Sequence, residues 1–145
     1  MPLKSAAFPT EEALVEAIAA GLTSDASPWS GLSLTREFNY TGGRADIVAV
    51  DDAGNVIAFE AKLSRWRIAL NQAYRNTAFA HYSYVVLPSP AAFRAARSTG
   101  DFARHSVGLC AATSNGLEVL IQAPFGAPVL PGLTILAAAA PGTGP

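Results

Sequence analysis

The chain has 145 residues, enough for one domain with a sizeable core and short for two. Hydrophobic residues make up 50% and charged residues 14%, which excludes disorder over most of the length. Ten Lys and Arg against eleven Asp and Glu give a net charge of −1, so the whole chain is neither strongly basic nor strongly acidic.

That balance hides an asymmetry. Residues 1–60 hold nine acids and three bases, whereas residues 61–145 hold seven bases and two acids. From Lys62 to Gly100 there are six bases and no acid, a pattern that reads either as a surface for an anion or phosphate backbone or as a solvated basic face. A single cysteine, Cys110, excludes an intrachain disulfide and a thiolate-rich zinc site, and His81 and His105 are too few and scattered for a histidine metal cluster. The N-terminus lacks the apolar core of a signal peptide, and no apolar run reaches the ~18 residues of a membrane span. A soluble, cytoplasmic protein with no membrane partner is expected.

In chain order, Thr10 followed by Glu11 and Glu12 predicts a helix start, with Leu14, Val15, Ile18 and Leu22 as its apolar stripe. Residues 24–31 read as a loop and 32–40 as a strand, ended by Thr41-Gly42-Gly43. Residues 45–50 and 56–63 predict a hairpin about the loop 51–55. Ser64 is the expected cap of a second helix reaching about Ala80, with Trp66, Ala69, Leu70, Ala73 and Thr77 facing inward. A strand over 82–87, a helix over 89–97 begun by Ser89-Pro90, and strands over 107–113 and 117–123 around Ser114-Asn115-Gly116 complete the pattern. The expected organisation is one domain over 1–123 and a Pro/Gly/Ala-rich tail over 124–145, in which 133–140 form a turn or two of helix. The order α-β-β-β-α-β-α-β-β predicts an α/β sandwich around a central mixed sheet.

The chemistry concentrates in Gly43-Arg44-Ala45-Asp46-Ile47-Val48-Ala49-Val50 and in the strand that carries Glu60-Ala61-Lys62. If the hairpin closes symmetrically, Val50 pairs with Val56 and Asp46 falls opposite Glu60. Their Cβ atoms would then lie roughly 4.5–5.5 Å apart on one face. Like charges placed so are destabilising unless something intervenes, and a divalent cation would. Lys62 projects from the same face ~7 Å from Glu60, where an ammonium can orient a water or offset charge on a phosphoryl group. The same residues also read as an ordinary charged cluster at a sheet edge. On the following helix, Arg65, Gln72, Arg75 and Asn76 lie opposite Trp66, Leu70 and Ala73, and Arg44 and Arg67 add possible phosphate contacts. Trp66 reads as core, and neither histidine is given a role.

These residues resemble the PD-(D/E)xK nuclease superfamily, with its restriction-endonuclease-like three-layer sandwich. Asp46 matches the first acid and Glu60-Ala61-Lys62 the E-x-K element. The local text Gly-Arg-Ala-Asp-Ile-Val-Ala is similar to that of archaeal Holliday-junction resolvases, in which proline stands at the position of Ala45. Glu11, three residues before Leu14-Val15, resembles a metal-site glutamate of those enzymes; its other reading is a first-turn acid that complements the helix dipole. The resemblance spans residues 10–87 and departs from the Q-x-x-x-Y pattern of one branch, since Gln72 is followed by Asn76. It implies a Mg2+ ion, replaceable by Mn2+, held by Asp46, Glu60 and the Ala61 carbonyl with or without Glu11. Lys62 would position a water activated by that ion, and Gln72 would reach toward the metal or a phosphate. DNA is the implied substrate, with no small-molecule cofactor, and the C-terminus would suit a homodimer. The alternative is a non-catalytic nucleic-acid-binding or protein-interaction domain that keeps the fold.

Overall fold

The computed structural model describes residues 8–139. Helix α1 (Glu11–Thr23) starts where expected, because the Thr10 hydroxyl accepts a hydrogen bond from the Ala13 N–H at 3.0 Å. Leu14, Ile18 and Leu22 are buried along it, as their spacing requires. Strands β1 (Ser33–Tyr40), β2 (Gly43–Val50) and β3 (Val56–Ala61) then run antiparallel, and β2 and β3 pair in the predicted register, with Val50 opposite Val56. Helix α2 (Trp66–Asn76) crosses over to strand β4 (Tyr82–Pro88), which lies parallel to β3. Helix α3 (Ser89–Ala95), a 3-10 turn and helix α4 (Thr99–His105) lead to strand β5 (Gly108–Thr113), parallel to β4. Strand β6 (Gly116–Ile121) returns antiparallel across the Ser114-Asn115 turn.

The sheet therefore has six strands in chain order, mixed in direction, and helices cover both faces. On one face, α1 packs Leu14, Ile18 and Leu22 against Ile47, Ile57, Phe59, Tyr84 and Val86. Trp29 seals that layer edge-on to Phe59 and Tyr84, with ring centroids 5.4 Å from each. On the other face, Ala69, Leu70 and Ala73 of α2 join Ala92 and Phe102 over Val85, Leu87 and Leu109. The result is a three-layer α/β sandwich around a mixed sheet. Strand β3 is buried along its whole length because it is central and covered on both sides.

Four local features differ from the sequence expectation. Strand β3 ends at Ala61 rather than Leu63; on its β2 side the Ala61 N–H goes to the Asp46 carboxylate, while the Lys62 N–H still bonds the Val86 carbonyl of β4. Helix α2 is capped by Arg65, not Ser64, with a left-handed backbone (φ 55) and no side-chain bond. It ends at Asn76, four residues short of Ala80, where the N–H groups of Phe79 and Ala80 turn back to the Asn76 carbonyl. Helix α4 lies between Arg97 and Val107, a stretch to which the sequence pattern assigns no element, and Phe102 is its one buried residue.

The Pro/Gly/Ala-rich end carries a nine-residue helix, α5 (Pro131–Ala139). It is tied to the turn after α2 by Gly126 N–H to the His81 carbonyl (2.8 Å), Leu130 N–H to the Ala78 carbonyl (2.9 Å) and the Thr134 hydroxyl to the Phe79 carbonyl (2.7 Å). Ala137 is buried with Val48, Val56, Ala58 and Phe79. His81 works within this junction, its Nδ1 accepting the Val56 N–H at 2.9 Å and its ring stacking on Phe125. Residue 140 of the expected turn lies outside the described residues.

Gly108 opens β5 beneath the Tyr84 ring. A Cβ there would lie 2.5 Å from a Tyr84 ring carbon and 2.6 Å from both the Ala123 nitrogen and the Ile121 oxygen. Two of these neighbours are backbone and cannot turn aside, so Gly108→Ala is expected to cost about 2–3 kcal/mol. Urea unfolding of the variant beside the parent measures this, and an unchanged midpoint would contradict the packing described.

Candidate active site

The β2–β3 ladder runs from Val50–Val56 to Ile47–Phe59. One step further, where Asp46 and Glu60 would pair, the strands part. Asp46 Oδ2 accepts the Ala61 N–H at 2.8 Å, which anchors its carboxylate at the end of β3. Glu60 is 2% exposed, and its Oε2 accepts from Asn76 Nδ2 at 2.7 Å. Asn76 Oδ1 in turn accepts from the Tyr40 hydroxyl at 2.8 Å.

A cleft of about 200 Å³ opens at this point, lined by Glu11, Arg44, Asp46, Glu60, Ala61, Lys62, Gln72 and Arg75. Eight residues singled out from the sequence thus come together from α1, β2, β3 and α2. Lys62 Nζ lies 3.4 Å from Glu11 Oε2 across the cleft, and an Arg44 guanidinium nitrogen lies 3.9 Å from Asp46 Oδ1. Glu11, read from the sequence either as a metal ligand or as a first-turn acid, faces Lys62 at the rim. Among the described residues no three Asp, Glu, His or Cys side chains gather as a metal-binding group. Arg65 and Arg67, expected to touch nucleic acid, do not line the cleft. Arg67 lies over the Trp66 ring, 4.2 Å from its centroid, with a guanidinium nitrogen 3.9 Å from Asp101.

A second groove of about 340 Å³ shares Glu11, Arg44 and Asp46 with the cleft and adds Glu12, Arg36 and Glu37. Glu37 falls between the pairs Arg36–Ile47 and Phe38–Ala45, level with Asp46, and its φ is 54. A glutamate in left-handed backbone within a strand is strained. Tyr40 and Glu37 are not among the residues that the sequence singles out, and Asn76, grouped by the sequence with the polar face of α2, is buried against Glu60. Asn76 stands one turn after Gln72, and Tyr40 ends β1 opposite Gly43, two signals that become readable only once the register is known.

Electrostatically the centre is the acid pair. Burial first, and then the charge of Asp46, push the Glu60 carboxyl up to about 8. Burial, together with the Glu60 charge, also raises the Tyr40 phenol, which Arg75 partly offsets. Two adjacent carboxylates with oxygen donors and no sulfur or imidazole suit a hard cation such as Mg2+ or Mn2+, which commonly takes one or two carboxylates and fills its shell with waters and phosphate oxygens. The residues present fit such an ion.

No family model matches the chain, and no curated protein matches its sequence. Among solved structures, the SPO1766 protein of unknown function from Silicibacter pomeroyi is similar at 17% identity and a TM-score of 0.60, over 86% of this chain and 83% of that one. At that identity the likeness is one of fold. A repair endonuclease from Pyrococcus abyssi matches 49% of this chain and 36% of its own, at 22% identity and a TM-score of 0.36. SfsA from Pyrococcus furiosus, solved with Ca2+, matches over 78% and 62%, at 12% identity and a TM-score of 0.42. No helix of the described residues is long and apolar enough to cross a membrane.

The raised Glu60 pKa has a thermodynamic consequence. Between the ordinary carboxyl value and about 8, the folded chain keeps a proton that the unfolded chain has lost. The contribution of Glu60 to stability is then expected to be fullest below pH ~4.5 and to fall as pH rises toward 8, by up to about 1.4 kcal/mol per pH unit in metal-free buffer. Glu60→Gln mimics the neutral form and should flatten that slope. Chelator-treated protein unfolded at several pH values provides the check, and equal slopes in parent and variant would contradict it.

Proposed function

We propose that the chain is a metal-dependent nuclease of the PD-(D/E)xK kind, with a restriction-endonuclease-like fold, that hydrolyses phosphodiester bonds in DNA. The observation that carries this reading is the anchored Asp46 carboxylate beside the buried Glu60, with Lys62 in the same cleft. Two carboxylates in that environment repel each other, and an oxygen-seeking divalent cation turns the repulsion into binding.

In this reading Asp46 and Glu60 hold Mg2+, or Mn2+ in its place, with the Ala61 carbonyl as the third donor that the resemblance implies. Bound there, the ion would act as a Lewis acid on the scissile phosphate and favour ionisation of a water. Lys62 orients the attacking water and offsets charge developing on the phosphoryl oxygens. Glu11 steadies the Lys62 ammonium across the cleft, where their charged atoms are 3.4 Å apart. Gln72 donates to a phosphate oxygen or water within the cleft, while Arg44 and Arg75 hold the neighbouring phosphates. Arg65 and Arg67, exposed at the start of α2, extend this basic track beyond the cleft. Neither histidine is needed as a base: His81 Nδ1 is occupied by the Val56 N–H, and His105 Nδ1 lies 2.7 Å from the Asp101 carbonyl.

Asp46→Ala and Lys62→Ala are expected to lower Mg2+-dependent cleavage of DNA by at least about 100-fold while the circular dichroism spectrum stays that of the parent. Full activity in either variant would overturn the assignment. A parent that cleaves nothing yet binds DNA with a steep salt dependence would move the reading to a binding module.

A further inference from the structure

Asn76 is fully buried, polar and placed at the last turn of α2, and nothing in the cleft chemistry above uses it. A buried amide is costly unless both its ends are satisfied, and in this protein both are. A carboxylate can only accept hydrogen bonds. With Glu60 ionised beside a cation, the amide atom that faces it is Asn76 Nδ2, as the 2.7 Å contact has it, and Oδ1 then needs a donor on its other side. The Tyr40 hydroxyl is that donor, at 2.8 Å. Its ring is itself fixed, stacked with Phe38 at a centroid separation of 6.2 Å and edge-on to Phe79 at 4.9 Å.

From these contacts we infer that Asn76 and Tyr40 are positioning residues that hold the Glu60 carboxylate beside Asp46 for a divalent cation. The inference rests on reading the cleft as a cation site. Hydrogen bonds then run from β1 through α2 to β3, from Tyr40 to Asn76 to Glu60, an order that presents an amide N–H to the Glu60 carboxyl. With Glu60 Oε2 tied to Asn76, the carboxylate is held at the cleft wall. Partners that orient a ligand in this way are typically worth 10–100-fold in metal affinity.

The test is Mn2+ binding by calorimetry to the full chain and to its Asn76→Ala and Tyr40→Phe variants, with thermal unfolding of each alongside. Asn76→Ala is expected to bind Mn2+ about 10–100-fold more weakly, and Tyr40→Phe to lose less in the same direction. Cleavage by Asn76→Ala should fall through kcat at limiting Mn2+ with KM for DNA unchanged, and recover at saturating Mn2+, which a damaged fold would not allow. Tyr40→Phe keeps the ring packing and removes only the donor, so it decides the matter if Asn76→Ala does not fold. Variants that bind Mn2+ as tightly as the parent overturn this inference alone. A parent that binds no Mn2+, with or without DNA, overturns the cation reading and this inference with it.

Discussion

At the end of β3 the Ala61 N–H donates to Asp46 Oδ2 at 2.8 Å, and the arrangement of the cleft follows from that bond. A backbone donor that would otherwise continue the sheet is given to a side chain, so β2 and β3 separate there. Past the separation Lys62 lines the cleft, and Glu60 is buried beside Asp46. Two carboxylates are thereby confined in a region of poor solvation, and Glu60 responds by holding its proton to about 8. Selection for stability alone would favour one acid or a neutral amide at this place. Under the proposed function, a cation shared by the two carboxylates would account for both acids.

The rest of the fold delivers groups to that point through apolar packing. Leu14, Ile18 and Leu22 fix α1 on one face of the sheet, each by roughly 1.5–3 kcal/mol of buried surface, and so set Glu11 at the cleft rim. Ala69, Leu70 and Ala73 fix α2 on the opposite face and set Gln72, Arg75 and Asn76 against β3. The small alanines matter because they let α2 approach close enough for the Asn76 amide to reach Glu60. The Lys62–Glu11 pair, with Glu11 about half exposed, adds at most ~1 kcal/mol and acts chiefly in aiming the ammonium.

Much of this is readable in the sequence because the deciding signals are local. Thr10 caps α1, the five-residue loop 51–55 sets the β2–β3 register, and alternation along the two strands brings Asp46 and Glu60 to one end of the hairpin. What is not readable depends on contacts between distant segments. The Arg65 cap is a left-handed turn without a side-chain bond, so Ser64 looks like the better candidate from composition. Arg67 counts as a free base in the sequence, yet it meets Trp66 on its own helix and Asp101 from α4, an element that the sequence pattern does not assign. Tyr40 and Asn76 are 36 positions apart and acquire meaning only through the pairing of β1 with β2 and the docking of α2. α5 is short and uncharged, and its helix is specified by packing of Ala137 and Leu133 and by hydrogen bonds to residues 78–81.

The most direct measurement is anomalous diffraction at the manganese edge from crystals of the parent protein grown with Mn2+. A peak within coordination distance of the Asp46 and Glu60 carboxylates, absent from Asp46→Ala crystals, is the expected result. Density that places Mn2+ elsewhere, or an acid pair that stays metal-free at saturating Mn2+, would contradict the central role of a cation between the two carboxylates.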